Sequence, residues 1–123
     1  MRAVQIVSLD GPEALQITEV PDPTPGEGQV LVRVRAAGVA FPELLHTRGL
    51  YQSKPALPFT PGSEIAGDII SAPDGSGFAP GDRVVASATS GGYAELAAAN
   101  VDRVFRLPDS VSYEAGASFF SNY

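Results

Sequence analysis

The sequence of 123 residues contains no cysteine and a single histidine, His46, so thiolate and imidazole ligands for a tetrahedral zinc cannot be assembled within it. Redox chemistry in which this chain takes part must then belong to a bound organic cofactor. The imidazole of His46 titrates near neutrality and could pass a proton. It has no acidic or nucleophilic companion at readable spacing, however, and reads as a polar position on a short helix. Glu64 stands among glycines in Pro61-Gly62-Ser63-Glu64-Ile65-Ala66-Gly67. A charge beside buried glycine finds a partner, so its expected role is structural, paired with an arginine or with backbone donors. Asp82 and Arg83 follow Pro80-Gly81 in a tight turn, where a carboxylate satisfies nearby backbone N–H groups, and both read as architectural. Gly91-Gly92 reads as a turn and not as a phosphate cradle, because a strand follows it where a helix N-terminus would be required.

The elements that must hold these residues are short and closely spaced. Arg2 to Val7 and Leu15 to Val20 are β-rich runs separated by Asp10-Gly11-Pro12-Glu13. The proline-rich stretch 21–28 supports neither helix nor ladder. Residues 29–36 form the clearest strand, with Val30, Val32, Val34 and Ala36 on one face and Leu31, Arg33 and Arg35 on the other. Pro42 opens a helix of two turns, through Leu44, Leu45 and Arg48, that Gly49 ends. A second proline-rich loop, 52–61, leads to a strand over 62–72 carrying Ile65, Gly67 and Ile69 on one face. A turn at 74–77, a strand at 83–88, a returning strand at 93–98 and a last extended piece at 104–107 follow. Ser112 is placed to cap an alanine-rich helix that runs into Tyr123 without a stop signal, an end that reads as truncation. Many short strands, many turns and two short helices predict a mainly β fold, a small antiparallel barrel.

Composition narrows the functions. Apolar residues at 44% and charged residues at 18% suit one globular domain with a core of its own. No apolar run approaches the roughly 20 residues of a membrane span, and the first residues read as a strand and not as a signal peptide. A cytoplasmic protein without membrane partners is expected. A net charge of −6, with eight basic residues scattered from Arg2 to Arg106, argues against nucleic acid as a partner.

Six segments in order carry a family likeness: Gly11-Pro12-Glu13-Ala14-Leu15, Ala37-Gly38-Val39, Arg48-Gly49-Leu50-Tyr51, the Pro61-to-Gly67 segment, Pro80-Gly81-Asp82-Arg83-Val84 and Gly91-Gly92-Tyr93-Ala94-Glu95. Together they resemble the zinc-free quinone oxidoreductase branch of the medium-chain dehydrogenase/reductase superfamily. The resemblance implies a GroES-like barrel, here over residues 1–123, that covers one side of a cleft while a Rossmann domain supplies NADPH from the other. The glycine-rich nucleotide fingerprint of such a domain is absent from this sequence, so the chain alone is not expected to turn over substrate. The implied partner is a small-molecule quinone or enone, and a homodimer is allowed for the full-length protein.

In the zinc alcohol dehydrogenases of the same superfamily, a cysteine follows the glycine-hydrophobic pair and a histidine precedes the glutamate. Those positions here read Ala40 and Ser63, and neither suits the metal: alanine has no donor atom and serine is a poor zinc ligand. Their cysteine-rich structural lobe is missing between Arg83 and Gly91. Without a Lewis acid, the implied reaction is hydride delivery to an already polarised acceptor, the protein contributing alignment and hydrogen bonds. Tyr51 resembles the tyrosine that lines the nicotinamide pocket in this family and donates a proton in related enoyl thioester reductases. A phenol with an ordinary pKa of about 10 can do so at neutral pH. The loop Ala40-Phe41-Pro42-Glu43 corresponds to one that reaches the nicotinamide end of the dinucleotide. Ala40, Phe41, Pro42, Glu43 and Tyr51 are therefore the expected cofactor contacts. Most quinone reductases carry asparagine and aspartate where Ala40 and Glu43 stand, and Pro42 lacks a backbone donor, which implies a different acceptor preference.

Two other readings stay open at this point. The parent is an enoyl thioester reductase of the crotonyl type, or a related dehydratase or polyketide module. In a different class, the chain is a non-enzymatic GroES-like barrel that binds a protein partner, for which the loop at 52–61 could supply a docking segment.

Overall fold

Alternation of apolar and polar side chains makes residues 29–37 a strand, and the fold is built around it. The computed structural model describes residues 1–39, 43, 47–49 and 56–119. Among them are six strands, β1 (Arg2–Gln5), β2 (Gln16–Glu19), β3 (Gln29–Ala37), β4 (Glu64–Ser71), β5 (Arg83–Ala88) and β6 (Leu96–Arg106), a short 3-10 turn at Pro12–Ala14, and the helix α1 (Tyr113–Phe119). Strands β3, β4, β5 and β6 close into a barrel in that order, every pairing antiparallel. Strands β1 and β2 form a separate hairpin. It is tied to the barrel side by the Val4 N–H donating to the Tyr93 carbonyl at 2.8 Å and by a reciprocal pair between Ile6 and Phe59. Among the described residues no helix is long and apolar enough to cross a membrane.

A four-stranded barrel encloses little volume, so its interior must be small and β-branched. Val30, Val32, Ile65, Ile69, Val84 and Val104 fill it, with Ala86, Ala97 and Ala99 where the walls come closest. A second cluster of Ala66, Leu107 and Ala117 lies on the outer face of the wall and is covered by α1. Ser112 caps that helix as expected, its Oγ accepting from the Ala115 N–H at 3.1 Å.

Two expectations change in the barrel. Ala36 was placed on the core face with Val30, Val32 and Val34, but a register shift between Val34 and Ala36 inserts a bulge at Arg35. Beyond it Ala37 packs on the barrel core and Ala36 on the helix-covered cluster, because one extra residue reverses the inside-outside alternation. The separate extended pieces at 93–98 and 104–107 are instead one strand, β6. Its first half pairs with β3 from Leu96 to Asn100 and its second half mostly with β5 from Val104 to Arg106. The Asn100-Val101-Asp102-Arg103 stretch between them is also strand, and it joins the half that pairs with β3 to the half that pairs with β5.

Polar residues fix the outside. Asp82 Oδ2 accepts from the Ala79 N–H at 2.9 Å and from Arg106 Nη1 at 3.1 Å, the architectural role expected of it. Arg83 donates from Nη1 to the Pro108 carbonyl and from Nη2 to the Val111 carbonyl, both at 2.7 Å, with its guanidinium 4.4 Å from the centre of the Tyr113 ring. Tyr113 Oη in turn donates to Asp68 Oδ1 at 2.5 Å, and Arg35 Nε donates to Asp68 Oδ2 at 2.8 Å. Partial burial alone would push the Asp68 carboxyl upward, but the bonds from Tyr113 and Arg35 and the charges of Arg35 and Arg83 outweigh it and hold it below the usual range.

Candidate functional site

One corner of the barrel gathers polar groups from distant parts of the chain. The end of β3 reaches it at Gly38, whose N–H donates to the Glu64 carbonyl at 2.8 Å, and Val39 beyond is 85% exposed. The start of β4 brings Ser63 and Glu64. Glu43 arrives on helical backbone, and the turn at Tyr93 supplies a phenol.

Glu43 is buried, 5% exposed, and its Oε1 accepts from the Ser63 Oγ at 2.9 Å and from the Ser63 N–H at 3.3 Å. A buried carboxylate is costly without such donors. Glu64 is also buried, 6% exposed, with its carboxylate beside Gly38: a Cβ added to that glycine would stand 3.4 Å from Glu64 Oε2. Tyr93 Oη donates to the Gly38 carbonyl at 3.2 Å, linking the turn after β5 to the end of β3.

The backbone beneath these side chains is fixed on both sides. The Gly92 N–H donates to the Gly62 carbonyl at 2.8 Å, the Tyr93 N–H to the Pro61 carbonyl at 3.0 Å and the Ala88 N–H to the Ser63 carbonyl at 2.7 Å. Gly62 has φ 104°, a conformation that favours glycine, and a Cβ there would meet Tyr93 Cδ1 at 2.6 Å. The proline-glycine-serine run thus serves a tight crossing beneath Tyr93. Gly91, at φ 94°, behaves as the turn expected.

Burial, reinforced by the negative charges of Glu43 and Glu64, pushes the Tyr93 phenol up to about 12. In the unfolded chain it titrates near about 10. The raised value means that folding stability contributed by the protonated phenol is fully present below the unfolded value and is lost as pH rises toward the folded one. The phenolate absorbance difference between the parent chain and Tyr93→Phe is expected to rise with a midpoint near 12 while the protein is folded. A midpoint near about 10 would show a solvated phenol instead. The same substitution removes one hydrogen bond and should cost about 1 kcal/mol in a denaturant titration.

Of the residues expected at the site from sequence, Glu43 is placed here together with Ser63 and Glu64. Ala40, Phe41, Pro42, His46 and Tyr51 lie outside the described residues. Glu64 is buried and sheltered as a structural residue would be. Tyr93 was not singled out from sequence. Its only signal was its place after the glycine pair, which lets the chain turn back on the start of β4. Among the described residues no three His, Cys, Asp or Glu side chains converge in a way that could hold a metal ion.

Comparison with known proteins places this corner in a family context. Residues 26–109 match the alcohol dehydrogenase GroES-like domain. The mouse (Mus musculus) quinone oxidoreductase is 45% identical over 121 residues, covering 96% of this chain and 37% of that protein. The crystal structure of a probable oxidoreductase from Mycobacterium abscessus superposes with a TM-score of 0.95 at 46% identity, covering 100% of this chain and 40% of that one. The Escherichia coli quinone oxidoreductase complexed with NADPH superposes with a TM-score of 0.87 at 30% identity, covering 95% of this chain and 36% of that one. The chain therefore spans well under half the length of these relatives. With its closed barrel, its ordered glycine-proline turns and a family match over 26–109, the chain belongs to the alcohol dehydrogenase GroES-like domain family, and its likeness within that family runs to the quinone oxidoreductases.

Proposed function

We propose that this chain is the substrate-side domain of an NADPH-dependent quinone oxidoreductase, whose full-length form transfers hydride to a quinone or a conjugated carbonyl without a metal. The observation that carries this reading is the likeness to quinone oxidoreductases over 96% of the chain, which includes the polar corner at Gly38, Glu43, Ser63 and Tyr93. The residue chemistry does not suit zinc: Ala40, by its type, offers no donor atom, and the Ser63 hydroxyl is given to Glu43.

The dinucleotide, when bound, supplies the hydride. The described residues hold no phosphate cradle, since the positive-φ glycines open turns and strands and α1 carries Glu114 in its first turn. NADPH is therefore held mainly by a nucleotide-binding domain outside these residues. This chain's part is to close the acceptor side of the cleft. In this reading Ala40, Phe41 and Pro42 contact the nicotinamide end of the dinucleotide, Glu43 is held by Ser63 next to them in sequence, and Tyr51 gives a proton to the reduced oxygen or carbon. The experiment is a comparison of acceptors for the full-length parent, following NADPH oxidation with 1,4-benzoquinone and with crotonyl-CoA. Turnover with the quinone at a kcat/KM at least tenfold higher supports this reading. Preference for the thioester would move the parent to the enoyl thioester reductases, and no NADPH oxidation with either would refute both.

A further inference from the structure

We propose that Ser63 determines acceptor specificity, its Oγ facing the cleft as a hydrogen-bond acceptor that selects substrates bearing a hydroxyl or amide N–H beside the reducible group. The inference deepens the oxidoreductase reading above and rests on it. Four observations carry it. Ser63 is an exposed residue, whereas the Glu43 it touches is buried. The Oγ–Oε1 distance of 2.9 Å is a hydrogen bond, and a carboxylate only accepts, so the one hydrogen of the hydroxyl points inward at Glu43. The lone pairs that remain on Oγ are then directed away from Glu43. Finally, the Ser63 backbone is fixed, because its own N–H also meets Glu43 Oε1 and its carbonyl accepts from Ala88 on β5 at 2.7 Å.

The neighbours have the same character. The Tyr93 phenol has given its hydrogen to the Gly38 carbonyl. The Ser63 and Tyr93 hydroxyls have thus both committed their hydrogens, and what each still offers is an acceptor. A ligand O–H or N–H can therefore bond to the Ser63 oxygen, while a ligand that lacks such a donor forgoes that bond.

The test uses the full-length parent with saturating NADPH and three acceptors: 1,4-naphthoquinone, its 2-hydroxymethyl derivative and the methyl ether of that derivative. The parent is expected to favour the alcohol over the ether by roughly tenfold in kcat/KM, the effect of one net hydrogen bond. Ser63→Ala should bring that ratio to about one, Ser63→Thr should keep it, and Glu43→Gln should move it toward the ether, because a carboxamide can donate to Oγ and turn the hydroxyl outward. A loss of activity by Ser63→Ala that is equal for alcohol and ether, or a parent ratio near one, overturns the proposal. The same ratio is read without turnover as Kd values by calorimetry in the presence of NADP+. A Kd ratio that persists in a protein that reduces no quinone would refute the oxidoreductase reading and leave the role of Ser63 standing. Quinone reduction with no alcohol preference would do the reverse.

Discussion

Alanine in place of Gly67 is expected to lower the melting temperature by roughly 10–20 °C, or to prevent folding altogether. Gly67 lies in the middle of β4, opposite Val34 on β3 and Val84 on β5. A Cβ added there would press directly on the Arg33 carbonyl oxygen and stand 2.9 Å from Val32 Cγ1. Relief requires moving the backbone, and β4 cannot shift toward either neighbour without breaking a ladder that closes the barrel. Overpacking of this kind costs about 3 kcal/mol or more, a large share of the 5–15 kcal/mol of stability typical of a domain. At the few degrees per kcal/mol expected for a chain of this length, the temperature range above follows. A melting curve followed by far-ultraviolet circular dichroism decides the matter. A loss of only one or two degrees would mean that β3 and β4 separate more readily than their register suggests.

Arg83→Met should cost about 2–3 kcal/mol, with Arg83→Lys recovering less than half of the loss. The Arg83 side chain is only 23% exposed, and its fork spans two carbonyls on the segment between β6 and α1 while covering the Tyr113 ring. Hydrogen bonds from a charged donor are worth about 1.5–3 kcal/mol each, discounted here because the Pro108 carbonyl is reachable by water. Methionine keeps the apolar stem but leaves both carbonyls without their donor. Lysine brings the charge without the planar fork, so it serves one carbonyl at a time. Urea midpoints at unchanged m-value give the order, and a lysine variant as stable as the parent would show that charge alone holds α1 in place.

The barrel strands were legible where one periodicity ruled. β3 was legible to within a residue because its valines alternate with polar side chains, and residues 83–88 at the observed bounds because turn signals at Pro80-Gly81 and Gly91-Gly92 flank them. The family likeness read from six ordered segments agrees with the match over 26–109. What was not legible depends on pairing at long range. Nothing local says that Asn100 to Arg103 continues a strand, since that follows only from β6 bridging β3 to β5. The bulge at Arg35 likewise exists because two strands meet out of step. At the site, Glu43 and Ser63 are 20 residues apart and Tyr93 and Gly38 55 apart. The family likeness named Glu43, and Glu64 read as structural, but only the folded chain says which carboxylate holds the serine.

The closed barrel has consequences for self-association. A cylinder of strands leaves no open ladder, so the long apolar strands that would otherwise invite fibril growth have no place to begin. Among the described residues, the unpaired border belongs to β2, whose partner β1 lies on its other side. Its sequence Gln16-Ile17-Thr18-Glu19 is short, largely polar and ends on a negative charge, with Ile17, 75% exposed, as its one large apolar side chain. Among the described strands, intermolecular strand addition would have to start from those four residues.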